Sequence, residues 1–503
     1  MINKKFLAGT RFHSNANRQF IILQEDFEKI DFESQTWIDQ LKSYISTFKT
    51  EQLERLQELK RYYLGDNNIK YRPAKTDEYA ADNRIASDFA KYITIFEQGY
   101  MLGVPVEYKN ETEAIQEAID SMSARNNEDY HNVKIKTDLS IYGRAYELLT
   151  VEQFGDGTEV KLYQLPAEQT FVIYNDTYQR NSLMAVHFYD IDYGNSKRKQ
   201  IIKVYTSDRI YSYEDYNQES NGMVLKGEDE HFFNGVPVNE FSNNEERTGA
   251  YESVLDNIDA YDLSQSELAN FQQDSVDAIL VLKGNTYTGK DEDNYLPDGR
   301  LNPNGPLGVS LGFKKAKMII LDDNPNPDGA DPDAFYLKKE YDSAGSEAYK
   351  NRLVADILRF TFTPDTQDSH FAGTQSGESM KYKLMASDNY RERQERLFRK
   401  GLMRRLRLAG NIWAIKGSEA TTYHLVNETS VIFKPNLPQN ELDIVNMAKS
   451  LYGVVSDQTV FEILNTVTGV DAEAELQRLA DENQKEPEPR VSEGDANEQE
   501  TTP

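Results

Sequence analysis

The 503-residue sequence contains no cysteine. This absence excludes disulfides, thiolate metal ligands and cysteine nucleophiles, and it fits assembly in a reducing cytosol. The sequence also lacks any run of about 18 consecutive apolar residues, so we expect no transmembrane helix. Its first residues carry no apolar stretch of the kind found in a signal peptide, and we expect none.

Basic residues are scarce relative to acidic ones, with 56 Lys and Arg against 84 Asp and Glu and a formal net charge of −28. Proteins that hold nucleic acid tightly and nonspecifically gain most of their binding energy from Lys and Arg, which displace counterions from phosphates. The charge balance therefore excludes a binder of this class. It still permits DNA as a transient partner that slides past the protein without being bound tightly.

The first half of the chain predicts helices followed by strands, an α+β pattern. Apolar residues three and four apart predict helices at Glu33–Leu64 and Ser87–Leu102, and a third helix that begins near Thr112. From about Ile135 to Phe241, short segments rich in β-branched and aromatic residues predict an antiparallel β region. The predicted strands are Ala145–Val151, Val160–Leu165, Thr170–Tyr174, Met184–Tyr189, Ile201–Tyr205 and Arg209–Tyr213.

The second half predicts two helices that flank a small β insertion. Helices at Tyr251–Gln273 and Asp333–Phe360 enclose strands at Ala278–Leu282 and Lys317–Leu321. The remaining predictions are a strand pair at Thr421–Val426 and Ser430–Phe433, helices at Gln439–Tyr452, Ser456–Thr466 and Asp471–Glu482, and a disordered acidic tail at Gln484–Pro503.

A long helix is predicted from Glu378 to about Ala414, with a bend at Gly401 or Gly410, and it carries a local excess of positive charge. The favoured interpretation is a solvated face, or ion pairs with acidic segments of the same or a neighbouring chain. The alternative is contact with DNA phosphates. The basic residues are Lys381, Lys383, Arg391, Arg393, Arg396, Arg399, Lys400, Arg404, Arg405 and Arg407, opposed by Asp388, Glu392 and Glu395.

Two strings resemble catalytic motifs but lack the required context. Gly284–Lys290 matches the first seven positions of a phosphate-binding P-loop, but Asp291 stands where a Ser or Thr should ligate Mg²⁺. Gly308–Gly312 matches the GxSxG string of a hydrolase, but a loop precedes it and a strand follows it. We therefore predict no catalytic residue, and a protein that is not an enzyme.

Metal sites are not predicted either. Asp322–Asp333 has the composition of a calcium loop, but Pro327 occupies the position where the turn needs glycine. The six histidines form no recognised metal pair, and we expect His187 and His424 to pack in strands. No cofactor is predicted.

Several strings follow one another over almost the whole chain, and they accompany an insertion between two helices and a loop before a long helix. The strings are Arg61–Leu64, Asp82–Arg84, Phe96–Val106, Leu165–Glu168, Val172–Tyr174, Val236–Val238, Phe241–Glu246 and Val454–Gln458. In their shared order, these features resemble the portal proteins of siphophages that infect Gram-positive bacteria, the Bacillus-siphophage type.

The resemblance implies a portal-type subunit with long stem and spine helices, a β-rich wing, a small clip insertion and a helical crown. Such subunits form a ring, usually dodecameric, at one capsid vertex, through which terminase packages double-stranded DNA that is later ejected. On this pattern the segments are a wing at 1–250, stem helices at 251–275 and 333–362, a clip at 276–332, a tunnel loop at 363–377, a spine helix and wing strands at 378–439, a crown at 440–483 and a tail at 484–503.

The resemblance also implies sites and partners. The DNA-facing tunnel loop would comprise Pro364, Asp365, Thr366, Gln367, Asp368, Ser369, His370, Phe371, Gly373, Thr374 and Gln375. The positive charge of the long helix, rather than the resemblance, is the basis for candidate contacts with DNA or a neighbouring subunit at Lys381, Lys383, Arg391, Arg396 and Arg399. The implied partners are other copies of the chain, DNA in transit, the large terminase, the head–tail adaptor, and the major capsid and scaffolding proteins, with no membrane.

The implied location is the portal vertex of the virion, after assembly in the host cytoplasm. Two alternatives remain open. One is a virion structural protein that forms no channel, such as a minor head or baseplate protein. The other is an ATP-using DNA enzyme, which depends on Lys290.

Overall fold

The structure is a computed structural model with about 52% helix and 21% strand in several sheets, which confirms the predicted α+β class. It describes residues 11–76, 80–155, 157–192, 194, 198–216, 222–276, 279–283, 294–305, 307–308, 311–312, 318–321, 333–337, 342–365, 377–417, 422–436 and 441–484. Among the helices in these ranges, none is long and apolar enough to cross a membrane.

The first predicted helix is confirmed, with one irregular turn in its middle. Ser34 caps its start by accepting a hydrogen bond from the backbone N–H of Trp37 at 3.2 Å. Gly65, at φ +71°, ends it in the left-handed region that favours glycine. The helices of this part are α1 (Gln24–Phe27), α2 (Gln35–Thr47), a π turn (Phe48–Gln52), α3 (Leu53–Tyr63), a 3₁₀ turn (Asn68–Tyr71), α4 (Phe89–Leu102), α5 (Glu113–Asn126) and α6 (Glu128–Tyr142).

Helix α6 corrects the prediction that the β region begins near Ile135. Ile135, Leu139 and Tyr142 are buried at intervals of four and three residues, which is helical spacing. Its β-branched residues, which favour strands in isolation, are overridden by burial of this face between neighbouring elements. The predicted β region therefore begins at Arg144, directly after Gly143 at φ +80°.

All six predicted strands of the β region are confirmed, and four further short or edge strands were missed. A six-stranded sheet has the order β1-β5-β6-β7-β8-β9, in which β1 pairs with β5 in parallel, and a three-stranded sheet has the order β10-β3-β4. The strands are β1 (Phe20–Ile22), β2 (Glu107–Lys109), β3 (Arg144–Phe154), β4 (Gly157–Leu165), β5 (Thr170–Asn175), β6 (Ser182–Asp192), β7 (Arg198–Tyr205), β8 (Arg209–Tyr216), β9 (Met223–Glu230) and β10 (Val238–Ser242).

The insertion between two helices is confirmed, but its end was placed wrongly. After a 3₁₀ turn (Glu252–Val254) and α7 (Leu255–Val276), the chain forms β11 (Ile279–Lys283) and β12 (Met318–Leu321). The segment Asp333–Leu337, predicted to begin a helix, is instead strand β13, because it pairs antiparallel with β11. Helix α8 begins later and covers Ser343–Phe360.

The predicted long helix is confirmed as α9 (Gly377–Gly417), which has 41 residues. The predicted strand pair after it is wrong: Thr422–Val426 forms a short helix, α10, so His424 does not lie in a strand. Strand β14 (Ser430–Ile432) exists, but it pairs with β2 far back in the sequence. Three predicted C-terminal helices are confirmed as α11 (Glu441–Leu451), α12 (Asp457–Thr468) and α13 (Ala472–Gln484).

The chain divides into two compact units. The first comprises 1–370 and 383–436, and its largest core packs α2, α3 and α4 against the six-stranded sheet through residues such as Trp37, Phe48 and Phe171. Two smaller cores in the same unit include α9 residues: Leu406 packs with α5 and β4, and Leu402 packs with α4, α6 and β10. The second unit comprises 371–382 and 437–503 and contains α11 to α13.

Several sequence predictions lie outside the described residues. These are the P-loop-like string with Asp291, Ser310 of the GxSxG string, the calcium-loop-like segment 322–332, the central part of the loop before α9 at 366–376, and the tail at 485–503. The bend of α9 at Gly401 or Gly410 stays a prediction.

Candidate functional site

Helix α9 presents one fixed face to the protein interior. Leu402 and Leu406 are fully buried, and burial of each such side chain contributes about 1.5–3 kcal/mol. Gly401 lies so close to Phe241 that a Cβ atom built on it would be 2.3 Å from the ring. These contacts fix the rotation of the helix, and thereby decide which of its basic residues point inward.

Arg405 points inward and is fully buried in a network of carboxylates and amides. Its guanidinium lies 2.5 Å from Glu128 Oε1, 2.6 Å from Glu147 Oε1 and 2.9 Å from Asn132 Oδ1. Asn239 donates to Glu147 Oε2 at 3.3 Å and to the carbonyl of Gly401 at 2.9 Å. The network therefore joins α6, β3, β10 and α9 around a single guanidinium.

The charges in this network stabilise each other against the cost of burial. Burial alone would raise the pKa of Glu147, but Arg405 and the hydrogen bond from His131 outweigh it and lower that pKa to about 2. His131 Nε2 lies 2.8 Å from Glu147 Oε1. The pKa of Arg405 is raised despite burial, because Glu147 and Glu128 both face it. Both ions therefore remain charged at neutral pH.

A second buried network reaches α9 through Gln394. Its amide donates to Asn243 Oδ1 at 2.9 Å and to Glu97 Oε2 at 3.3 Å. Lys136 and Ser140 of α6 also donate to Glu97 Oε2, at 2.8 and 2.7 Å. Besides its apolar contacts, α9 is thus hydrogen-bonded through Gln394 to Glu97 of α4 and to Asn243 after β10.

Arg391 was predicted to contact DNA or a neighbouring subunit, and the structure places it in a buried position. It is 7% exposed, and it pairs with Asp388 at 2.7 Å and with Glu395 one turn further along. Its guanidinium also lies over the ring of Tyr100, 5.7 Å from the ring centroid. Its charge is thus compensated within the chain, which leaves little of it for an external phosphate.

Two further arginines of α9 bond to the chain itself. Arg404 donates to the carbonyl of Val236 at 2.9 Å and to Ser182 Oγ at 3.0 Å. Arg407 donates to Asn427 Oδ1 at 2.7 Å. Ion pairing and hydrogen bonding within the chain, the interpretation favoured from the sequence, therefore apply to the inward Arg391, Arg404 and Arg405, and to the exposed Arg407.

Four other basic residues of α9 are exposed and form a continuous stripe, because they recur three and four residues apart. Arg393 is 3.9 Å from Glu246, at the limit of an ion pair, and Arg399 lies over the ring of Phe433 at 5.6 Å. Among the described residues, no carboxylate lies within ion-pair distance of Arg396 or Lys400. We call these four residues the outward stripe: Arg393, Arg396, Arg399 and Lys400.

The end of α8 leads into the predicted tunnel loop and is anchored on α9. Phe362, at φ +57°, takes the left-handed position after the helix, a conformation that costs a residue with a side chain about 1–2 kcal/mol. Its ring stacks on Tyr390 with 4.8 Å between centroids, and Ser387 donates its hydroxyl to the Phe362 carbonyl. Phe360 and Phe362 remain 54% and 43% exposed. The start of the loop is therefore held to α9.

The structure describes only the first two of the predicted tunnel-loop residues. Pro364 is half-buried and Asp365 is exposed, whereas 366–376 lie outside the described residues. The backbone of Lys381 and Lys383 belongs to α9, but their side chains are likewise outside the described part. The roles of all these residues in DNA or subunit contact stay predictions.

No group of three or more His, Asp or Glu that could hold a metal occurs among the described residues. His187 lies in β6 as predicted, where burial lowers its pKa to about 4 and Thr170 Oγ1 is 3.0 Å from its Nδ1. His131, in contrast, belongs to the Arg405 network.

Sequence reasoning missed the partners of Arg405, namely Glu128, His131 and Glu147. The available signal was weak: Glu147 is a charged residue inside a strand whose neighbours are apolar or aromatic. An acidic residue at such a position needs a buried partner of opposite charge. The sequence could indicate that need, but could not identify Arg405, which lies 258 residues away.

The described residues form a mixed α+β fold in which one long helix, α9, carries both buried and exposed basic residues. The sequence model of the family described as "Phage portal protein, SPP1 Gp6-like" matches residues 42–488. The chain therefore belongs to this family of phage portal proteins, as its resemblance predicts. Phage portal proteins are components of the virion.

Two curated relatives are similar over about half of the chain. The portal protein of Bacillus phage SPP1 is 26% identical over 255 residues, which cover 47% of this chain and 50% of that protein. The portal protein of Clostridium phage phiCD119 is 24% identical over 280 residues, covering 52% of this chain and 61% of that protein. The matched part thus spans about half to three fifths of the length of these relatives.

Proposed function

We propose that this chain is the subunit of a ring-shaped channel through which double-stranded DNA enters and leaves a phage capsid. The observation that carries the proposal is membership of the portal family over residues 42–488. In this role the chain is structural and does not hydrolyse ATP. Its partners are other copies of itself in a ring, usually dodecameric, DNA in transit, the large terminase, the head–tail adaptor, and the major capsid and scaffolding proteins. It acts at the portal vertex of the virion after assembly in the host cytoplasm.

We assign the two stem helices to α7 and α8. Lys350 of α8 donates to Gln265 Oε1 of α7 at 3.0 Å, so the two helices lie against each other. Between them, β11 pairs with β12 in parallel and with β13 antiparallel. One small sheet thus forms from two strands of the predicted clip and from β13, which lies just beyond its predicted end. This supports a clip that extends to Leu337 and is inserted between two helices.

We assign the spine to α9, the tunnel loop to 363–377, and the crown to the segment with α11 to α13. The charge of the chain suits a channel, because strong attraction to phosphates would oppose sliding. The wing would be residues 1–250, with its helices packed on the six-stranded sheet.

Electron microscopy of the purified full chain tests the ring. We expect hollow rings with a central hole. Monomers or solid discs at high protein concentration would contradict the channel and favour a virion protein that forms no channel, such as a minor head or baseplate protein.

Replacement of Thr366–Gln375 by a Gly-Ser linker of equal length tests the tunnel loop. We expect rings and procapsids to form, because α7, α8 and the wing are unchanged, while packaged DNA per particle falls sharply. The matched control replaces residues 217–221, the connection between β8 and β9, in the same way and should package normally. Normal packaging in the Thr366–Gln375 variant would exclude a DNA-facing role for this loop.

A further inference from the structure

Three arginines from distant parts of the chain meet in the interior of the first unit. Arg55 of α3, Arg144 at the start of β3, and Arg247 in the loop before α7 are 1%, 0% and 6% exposed. They are close enough to affect each other, since burial first, and then the charges of Arg247 and Arg55, lower the pKa of Arg144 to about 10. None of the three belongs to α9, to the proposed tunnel loop or to the clip.

Two of these arginines have a carboxylate partner. Arg55 forms two bonds with the carboxylate of Glu252, at 2.5 and 2.7 Å. Arg247 Nη2 lies 2.6 Å from Glu240 Oε1. Among the described residues, Arg144 has no carboxylate partner, and its one hydrogen bond there is from Nη1 to the neutral amide of Gln52, at 2.8 Å. The five ionisable groups therefore carry three positive and two negative charges.

Unused hydrogen-bond donors occur on all three guanidinium groups. Nε and Nη2 of Arg144, Nη1 of Arg55 and Nε of Arg247 are buried and have no acceptor among the described residues. Tyr146, Tyr174 and the backbone carbonyls around Arg247 face the cluster as neutral groups, and the cation of Arg404 also faces Glu240. A guanidinium does not lose its proton in a protein, so the excess positive charge remains.

We propose that one small monovalent inorganic anion of the chloride class binds among Arg55, Arg144 and Arg247. One negative charge offsets the single positive charge by which the three arginines exceed their two carboxylates. The unused N–H groups supply the donors, and a buried charge is tolerated only when it is paired and hydrogen-bonded. On its other side, Arg144 lies over the ring of Phe48, 5.7 Å from the ring centroid, so its charge has an aromatic neighbour there and, among the described residues, no anionic one.

The bound anion would fasten several elements together. Arg247 donates to the carbonyl of Asn17 at 3.1 Å, and Gln52 donates to the carbonyl of Arg18 at 3.0 Å. The backbone just before β1 is therefore hydrogen-bonded to residues of this cluster. The anion would add bonds among α3, β3 and the loop before α7. It is a structural site within the subunit, and it is independent of the proposed DNA channel.

Thermal unfolding of the full-length chain tests the site, with sodium chloride replaced stepwise by sodium gluconate at constant ionic strength. An anion that binds only the folded state raises Tm with its concentration. We expect Tm of the wild type to rise by a few degrees with chloride and to saturate, and we expect Arg144→Met to lose this rise. The control Arg352→Met, on an arginine whose side chain is 81% exposed, should keep it.

A wild-type Tm that does not depend on chloride, or an equal dependence in Arg144→Met, would overturn the proposal. If Arg144→Met does not fold, crystals of the wild type grown in bromide decide the matter. An anomalous peak beside Arg144 supports the site, and its absence refutes it.

Discussion

The inward and outward faces of α9 carry the same residue type in opposite settings. Inside, Arg405 is enclosed by Glu128 and Glu147, and Arg391 by its own neighbours along the helix. Outside, Arg396 and Lys400 extend from the surface with no carboxylate in reach among the described residues. The sequence shows one basic helix, but the inward charges hold the fold together, and only the outward ones remain for another molecule.

The largest expected effect comes from removal of the inward charge. Arg405→Met leaves Glu147 and Glu128 buried without their cation, and loss of one partner of a buried pair costs about 3–5 kcal/mol. Arg396→Met, on the same helix, should change the free energy of unfolding by no more than about 0.5 kcal/mol. Chemical denaturation of both variants measures the difference. Equal losses would refute the division of α9 into two faces.

The inward face should also respond to acid through Glu147. Because its pKa in the folded protein is about 2, below the ordinary value of 4.5, its ionised form stabilises the protein above pH 4.5. That contribution is lost as pH falls from 4.5 towards 2. Glu147→Gln should therefore lower stability at pH 7 by on the order of 3 kcal/mol, and the gap to the wild type should narrow with acidification.

Denaturation midpoints of the wild type and of Glu147→Gln, taken from pH 7 to pH 3, measure this difference in stability. A gap that stays constant over the whole range would mean that packing of the side chain, and not its charge, is responsible. Arg396→Met serves again as the control, because Arg396 is exposed and has no carboxylate within ion-pair distance among the described residues.

A smaller effect is expected where the inward face of α9 touches Phe241. A methyl group at Gly401 would clash with the ring, so Gly401→Ala should cost about 1–3 kcal/mol. The matched control is Gly99→Ala in α4, where the added carbon would have no heavy atom within 4 Å other than its chain neighbours and the backbone of its own helix. There, alanine should stabilise the protein by about 0.5–1 kcal/mol, because it loses less conformational entropy than glycine when the helix forms. If the free energy of unfolding changed in the same direction in both variants, the close packing of α9 against Phe241 would be contradicted.

Regular periodicity made much of the fold predictable. The apolar residues of α9 recur at helical spacing over the whole element, and the strands between Arg144 and Tyr216 are rich in β-branched and aromatic residues. Predictions failed where a local preference was overridden by a partner. Asp333–Leu337 became a strand because β11 lies beside it, and α6 is helical despite its β-branched residues.

The candidate site was less predictable than the fold, for a physical reason. Spacing within α9 shows which residues share a face, but not which distant segment covers that face. Arg405 meets Glu147 across 258 residues of sequence, and Arg391 meets Tyr100 across a similar gap. Since burial of a charge depends on such partners, the sequence could not separate Arg405 from Arg396.

The smallest effect on the isolated subunit, and the most informative for function, is expected from the outward stripe. Arg396→Glu combined with Arg399→Glu should change the free energy of unfolding of the subunit by no more than about 0.5 kcal/mol per site, because both side chains are exposed. If the stripe faces an acidic surface of a neighbouring copy, the reversed charges should weaken rings, most strongly at low salt where screening is least. If it faces DNA, rings should form normally and packaging should fall.

Ring assembly at 50 and 500 mM salt, followed by packaged DNA per particle, separates these outcomes. The control Lys109→Glu with Lys226→Glu makes the same change of charge at two exposed positions on β2 and β9. It should leave both readouts unchanged, so that a general effect of added acidity is excluded. Normal assembly together with normal packaging in the stripe variant would show that the outward face of α9 is only solvated, and the comparison of the two faces would then concern stability alone.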